Sequence, residues 1–299
     1  MRFLVTGGAG FIGSHLVDAL ITAKHEVLVI DNLSGGKRDN VNLKAVFHQK
    51  DIRDFKETTS LFKGMDGVFH LAAVPRVPLS IADPAGTASV NIGGTINVLA
   101  AAKDAGVKRL VYASSSSVYG DQTVLPLTEK LTPNPISPYG LQKLTGELHA
   151  KLFSKIYKME IVSLRFFNVF GPRIDLEGAY ASVMGAFVKA VQAGKSLPVY
   201  GDGQQTRGFS YVTDVVAAVL AAQSGAKIKG GEVINIGNRP TTVNDLAKLF
   251  GGKIEYAKPR PGDILHSSAD TTLAKQLLGW SPKVSLEEGV ALLKKSFGM

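Results

Sequence analysis

A chain of 299 residues with 45% apolar content can bury a substantial core, as one large domain or two smaller ones. It has no cysteine, which excludes disulfides, thiolate metal ligands and cysteine nucleophiles, and its six histidines show no metal-ligand spacing. A net charge of +9 is dispersed with no groove-reading motif, arguing against nucleic acid; no apolar run approaches a membrane span and the start carries no signal-peptide pattern, so the expected location is the cytoplasm.

Arg2 to Val5 reads as a short buried strand running directly into Thr6-Gly7-Gly8-Ala9-Gly10-Phe11-Ile12-Gly13. Glycines at 7, 10 and 13 allow a tight turn, bring backbone N–H groups against a pyrophosphate and permit close helix packing, with the phosphate at the positive end of the next helix. Gly8, Gly10 and Gly13 also satisfy the G-x-G-x-x-G dinucleotide pattern. A second strand, Glu26 to Ile30, ends in Asp31, 18 residues beyond Gly13, where a carboxylate can bond the adenosine ribose hydroxyls. That charge repels a ribose phosphate, so NAD is the expected cofactor in preference to NADP. Lys37 and Arg38, close by, read as a solvated loop. The net positive charge helps gather dianionic nucleotides.

Val46 to Asp51 is a strand ending in an acid near the expected adenine, and Gly67 to Ala73 is a buried strand followed by small residues that allow close approach to a cofactor. Within it His70 is expected to be structural or a wall residue, as is His266. Asn91 to Ala105 reads as an Ala-rich helix. Arg109 to Ala113 is the next strand, delivering Ser114-Ser115-Ser116-Ser117 at the carboxyl edge, where doubly wound sheets bind ligands. Tyr139 and Lys143 follow four residues apart, so on a helix the phenol and the ammonium share a face. A cation favours the phenolate over a phenol that ordinarily titrates near about 10, which makes Tyr139 a base beside a nicotinamide. Glu160 to Arg165 is a further strand. The alternation predicts an α/β fold, a Rossmann doubly wound parallel sheet, over 1–170, with a smaller carboxy-terminal substrate-binding α/β domain over 171–299, where prolines punctuate short segments.

Taken together, Thr6 to Gly13, Asp31-Asn32-Leu33-Ser34, His70 to Ala73, Ser114 to Gly120, Ser137 to Lys143, Arg165 to Arg173, Thr206-Arg207 and Arg260-Pro261-Gly262-Asp263 resemble the extended short-chain dehydrogenase/reductases of the nucleotide-sugar epimerase/dehydratase group. The resemblance spans essentially the whole chain and is most specific to UDP-hexose 4-epimerases that accept N-acetylated sugars. It implies an interleaved second domain, with parts of 207–236 returning to the Rossmann domain, and a homodimer formed through a helix bundle. It implies Tyr139 as base, Lys143 as the group that holds the nicotinamide ribose and lowers the Tyr139 pKa, and Ser115 as the partner of the reacting hydroxyl. The implied cofactor set is Gly7, Gly10, Phe11, Ile12, Gly13, Asp31, Asn32, Ser34, Gly35, Asp51, Ile52, Leu71, Ala72 and Ala73 with Tyr139 and Lys143. On the substrate side it implies Ser116, with Asn168, Arg207 and Arg260 at a UDP diphosphate and Asp263 at the uridine ribose.

Positions 116 and 117 bear on the reaction. Related 4,6-dehydratases need an acid pair there, and the related decarboxylases resemble them in carrying a Glu at the second position; this chain has Ser116 and Ser117, which cannot do carboxylate work at neutral pH. Epimerisation needs only a base, a hydride acceptor and room for the intermediate to turn over. Ser267 falls where the family gates pocket size, and a small residue leaves volume for a 2-acetamido group. Arg76 stands where relatives usually have a small residue and could bind a carboxylate, which keeps a UDP-glucuronate 4-epimerase in view, although Asp175 lies near where uronate-specific relatives are expected to use a cation. Gly208 replaces the commoner acid after Thr-Arg and puts the bracing of Arg207 in question. A non-catalytic NAD(H) sensor on the same fold is the alternative from another class, though such proteins typically lose the Tyr or Lys retained here.

Overall fold

Short β-branched and aliphatic runs, buried on both faces away from the edge strand Val46–Gln49, build the central sheet. In the computed structural model, which describes residues 1–176, 182–259 and 265–299, these are β1 (Arg2–Thr6), β2 (Glu26–Asp31), β3 (Val46–Gln49), β4 (Gly67–His70), β5 (Arg109–Ser115) and β6 (Glu160–Phe166). All pair in parallel, and the strand Val233–Ile236 adds to β6. The order from that strand is β6-β5-β4-β1-β2-β3, so the chain reverses its direction of travel between β1 and β4 and opens a crevice at their carboxyl ends.

Helices cover both faces. Helix Phe11–Thr22 packs through Leu16, Val17 and Leu20 with Val215 and Val219 of helix Val212–Ser224. The other face buries Leu4, Val98, Leu99, Leu110 and Ile161 with Ala150 of helix Pro138–Tyr157. That helix begins where Ser137 Oγ accepts from Gly140 N at 3.1 Å, with Pro138 in the first turn, and stops at Lys158, whose φ of 58° is left-handed.

Residues after 236 also return to the large sheet. Trp280 joins its core and donates from its indole N–H to Asp214 O at 2.8 Å, tying the segment after helix Thr272–Leu278 to helix Val212–Ser224. A separate core gathers Phe170, Phe187, Leu246, Phe250 and Leu293. Beside it a small sheet sets Thr206–Gly208 between Pro240–Thr242 and His266–Ser267, with Arg207 and Ser267 as register partners.

Two elements differ from the sequence reading. The helix expected over Asn91 to Ala105 opens with a π-helical turn, Ser89–Gly94, before Thr95–Asp104. Asn91 sits in that turn: its Oδ1 accepts from Val74 N at 2.7 Å and its Nδ2 donates to Gln142 Oε1 at 2.7 Å, contacts that tie it to the loop after β4 and to helix Pro138–Tyr157. The strand expected to reach Asp51 stops at Gln49, and Asp51 turns aside to accept from Asn32 and Arg53. No helix among the described residues is long and apolar enough to cross a membrane.

Candidate active site

The turn after β1 lies hard against the exit of β4. Gly7 has a φ of +74°, donates to Ile30 O at 2.8 Å, and a Cβ on it would stand 2.6 Å from Ala72 N, so only glycine fits. Asp31 closes the turn from the other side: Oδ2 accepts from Ala9 N at 3.0 Å and Oδ1 from Leu33 N at 2.8 Å. Burial pushes its carboxyl up, a rise that the two backbone N–H groups only partly offset. Arg53, first, and then Asn32 hold Asp51 down to about 2, a fixed negative charge at the far end of the crevice.

His70 fastens this floor. Thr95 Oγ donates to Asn91 O at 2.7 Å, so it accepts from His70 Nε2 at 3.0 Å, and His70 Nδ1 then accepts from Thr6 Oγ at 2.7 Å. Thr6 Oγ in turn accepts from Ala72 N at 3.3 Å, and burial, with Lys143 adding to it, drives the imidazole down to about 3. His70 is therefore a neutral structural residue, as expected.

The resulting cavity has a volume of about 690 Å³, inside the ~300–1,000 Å³ range of cofactor sites. Its walls include Gly7, Gly10, Phe11, Ile12, Gly13, Asp31, Asn32, Ser34, Gly35, Asp51, Ile52, Leu71, Ala72 and Ala73, and its inner end holds Ser115, Tyr139 and Lys143. A glycine turn ending on a helix N-terminus, a carboxylate at the β2 end and a lysine at the inner end fit a dinucleotide lying across the switch point.

At the inner end, Tyr139 and Lys143 lie on the buried side of helix Pro138–Tyr157. Ser115 lies beside Tyr139 and opposes the rise of its phenol, and Ser115 Oγ donates to Ser117 Oγ at 3.1 Å. Lys143 Nζ donates to Ala113 O at 2.8 Å and stands 5.0 Å from the Tyr112 ring centre. The expected lowering of the phenol by Lys143 is not what the protein groups produce. Burial pushes Tyr139 up to about 12, with only Ser115 opposing it, and pushes Lys143 down to about 7. Burial therefore dominates both groups.

A second cavity of about 1080 Å³ adjoins the first and shares Arg76 and Asn168 with it. Ser116, Ser117, Arg207, His266 and Ser267 line it, so His266 is a wall residue. Arg207 donates to Thr206 O at 2.8 Å and to Leu265 O at 3.1 Å, and Asn168 Nδ2 donates to Gly208 O at 3.3 Å. The departure at Gly208 has a steric cause: a Cβ there would stand 2.4 Å from Asn238 O, while the backbone carbonyls of Thr206 and Leu265 brace Arg207. Arg76 forms an ion pair with Asp175, 99 residues away in sequence. Arg260 and Asp263 lie outside the described residues.

Sequence reasoning missed several walls. Lys37, read as a solvated loop, lines the cofactor cavity because its N–H donates to Ala9 O at 3.0 Å and pins the loop over the glycine turn. Phe297, from the end of the chain, lines the same cavity with no local signal, while Gln122, Tyr200 and Gln205 line the second.

With this geometry in place, comparison with known proteins gives a consistent result. Residues 3–237 match the model of the NAD dependent epimerase/dehydratase family. The chain is 39% identical over 306 residues to a UDP-glucose 4-epimerase of Mycolicibacterium smegmatis, covering 97% of this chain and 96% of that protein. It is similar to the crystal structure of a Thermotoga maritima UDP-glucose 4-epimerase with UDP-glucose, at a TM-score of 0.95 and 41% identity, covering 100% of this chain and 99% of the other. A Methanobrevibacter ruminantium UDP-N-acetylglucosamine 4-epimerase, solved with UDP-N-acetylmuramic acid, gives a TM-score of 0.94 and 37% identity over 99% and 97% of the two chains. Glycine turn, β2 carboxylate, Tyr139–Lys143 helix and full-length likeness agree: the chain belongs to the NAD dependent epimerase/dehydratase family.

Proposed function

We propose that the chain is a UDP-hexose 4-epimerase, interconverting UDP-glucose with UDP-galactose and UDP-N-acetylglucosamine with UDP-N-acetylgalactosamine through a 4-keto intermediate. The observation that carries this reading is the Ser115–Tyr139–Lys143 cluster at the inner end of the cofactor cavity, next to a second cavity whose adjoining wall is Ser116 and Ser117. Bound NAD would supply the acceptor for hydride from C4 of the sugar and then give it back. Tyr139, in the phenolate form that the positive nicotinamide ring would favour, takes the O4 proton during oxidation and returns it when the opposite face is reduced, while Ser115 holds the oxygen in line. Lys143 fixes the nicotinamide ribose. No carboxylate stands at 116 or 117 to expel a C6 oxygen or to assist decarboxylation.

The second cavity is roomy enough for the intermediate to rotate about its diphosphate, with Asn168, Arg207 and Arg260 proposed as diphosphate ligands, Asp263 at the uridine ribose and Ser267 at the acetamido wall. The uronate alternative rests on Arg76. Its guanidinium is already paired with Asp175, which disfavours capture of a sugar carboxylate and supports neutral sugars. A second copy of the chain is the proposed partner: Leu141, Leu148, Leu152 and Ile156 of helix Pro138–Tyr157 are all exposed and form an apolar stripe.

Turnover of UDP-glucose, UDP-N-acetylglucosamine and UDP-glucuronate, measured without added cofactor, tests the reading. Epimerisation of the first two is expected. Activity on UDP-glucuronate alone would transfer the assignment to the uronate series, and no turnover of any would leave the sensor reading.

A further inference from the structure

We propose that Glu147 is a positioning residue for this reaction: it is the counter-charge to Lys143 and, through Ser114, the fixed point of the strand end that carries Ser115, with Arg165 holding it in place. The inference rests on the roles given above to Tyr139, Lys143 and Ser115. Tyr139, Lys143 and Glu147 succeed one another at intervals of four along one helix, and each meets β5 at its own level. Tyr139 faces Ser115 across the inner end of the cavity, Lys143 donates to Ala113 O, and Glu147 Oε1 accepts from Ser114 Oγ. Three consecutive strand residues are thus met by three successive turns of the helix, two of them through hydrogen bonds.

Arg165 of β6 completes the clamp. Its Nε and Nη2 donate to the two carboxylate oxygens of Glu147 at 2.9 and 2.7 Å, and its guanidinium lies 4.5 Å from the Tyr119 ring centre. Glu147 is 4% and Arg165 3% exposed, and Arg165 Nη1 has no hydrogen-bond partner among the described residues. A dry ion pair with an unsatisfied nitrogen is a poor stabilising device compared with apolar packing, so stability alone does not account for it.

Burial drives Lys143 down to about 7, and Glu147 is what opposes that fall. The other titratable groups facing Lys143 and Glu147 are Tyr139 on the same helix, Tyr112 on β5, Tyr119 beyond it, His70 on β4 and Arg165 on β6. Burial pushes His70 down and the three tyrosines up. Helices Val77–Ala82, Pro84–Ala88 and Thr95–Asp104 meet the region through hydroxyls: Ser80 accepts from Tyr139 N, Thr87 accepts from Gln142, and Thr95 bonds His70.

The test uses NAD-loaded protein carrying Glu147→Gln, which keeps shape and hydrogen bonding while removing the charge. Because that change leaves Arg165 unpaired, the double variant Glu147→Gln/Arg165→Met, with no buried charge left over, is measured beside it. Carbon-13 NMR of the lysine side chains, with Lys143 assigned by its absence in Lys143→Met, reads the proton on Lys143 directly. Its midpoint is expected to fall by about one pH unit, a tenfold change in that equilibrium. Turnover should match wild type well below the Lys143 midpoint and fall about tenfold at and above neutral pH, with KM changing less than about twofold. An unmoved Lys143 midpoint, or a loss of turnover by the same factor at every pH, would reduce Glu147 to a structural brace and overturn the proposal. Absence of epimerase activity in the wild-type protein would defeat the functional assignment instead, and the Lys143 titration would still decide the role of Glu147.

Discussion

Tyr139→Phe separates chemistry from architecture. The ring is buried, and what fixes it stays in place: its backbone N–H donates to Ser80 Oγ at 3.0 Å, and Ser137 caps the helix two residues earlier. Only the hydroxyl is lost, together with its interaction with Ser115. One neutral hydrogen bond is worth about 1 kcal/mol, which for a chain of this length moves Tm by only about 2 °C. Removing the proton acceptor should cost turnover at least about a hundredfold, a barrier increase of about 2.7 kcal/mol. Three measurements suffice: the melting curve, the NAD released on denaturation, and the rate of UDP-glucose epimerisation. A small Tm shift, wild-type NAD content and a hundredfold loss in kcat are expected. Turnover within tenfold of wild type in a fully NAD-loaded variant would refute the assignment and move the base elsewhere, with Ser115 the first alternative.

Ser267→Tyr puts a ring into the wall beside Arg207 and should abolish turnover of UDP-N-acetylglucosamine while sparing UDP-glucose; equal loss on both substrates would indicate damage to the small sheet. Asp31→Ala leaves the N–H groups of Ala9 and Leu33 without their acceptor, about 1–3 kcal/mol each, so purified protein should carry much less NAD than wild type; NADP as the dominant nucleotide in the wild-type protein would reject the Asp31 argument. Burial depresses His70 from 6.5 to about 3, so its contribution to stability is present above pH 6.5 and is lost as pH falls toward 3, about 5 kcal/mol over that window. His70→Gln should flatten acid denaturation there, and an unchanged pH dependence would show that the buried imidazole does not govern it. Leu148→Glu with Leu152→Glu should yield monomers in sedimentation if the exposed stripe joins two copies.

What the sequence determined by itself is what short-range geometry dictates. A strand, three glycines and a terminal acid define the turn and the position of Asp31, and a four-residue interval puts Tyr139 and Lys143 on one helix face, because backbone sterics and helical period act within a few residues. Motif likeness carried Asn168, Arg207 and Ser267 to the second cavity in the same way. Tertiary structure alone decided the rest. Arg76 meets Asp175 at a sequence separation of 99, Phe297 reaches the cofactor cavity from the last residues, and Glu147 finds Arg165 only because β5 and β6 are neighbours in the sheet. The charge states followed the same division: the spacing of Tyr139 and Lys143 implied a lowered phenol, yet both side chains are so thoroughly desolvated that burial overrides their mutual attraction. Desolvation depends on every element packed around a group, and that sum is fixed by the assembled fold, beyond the reach of any local stretch of chain.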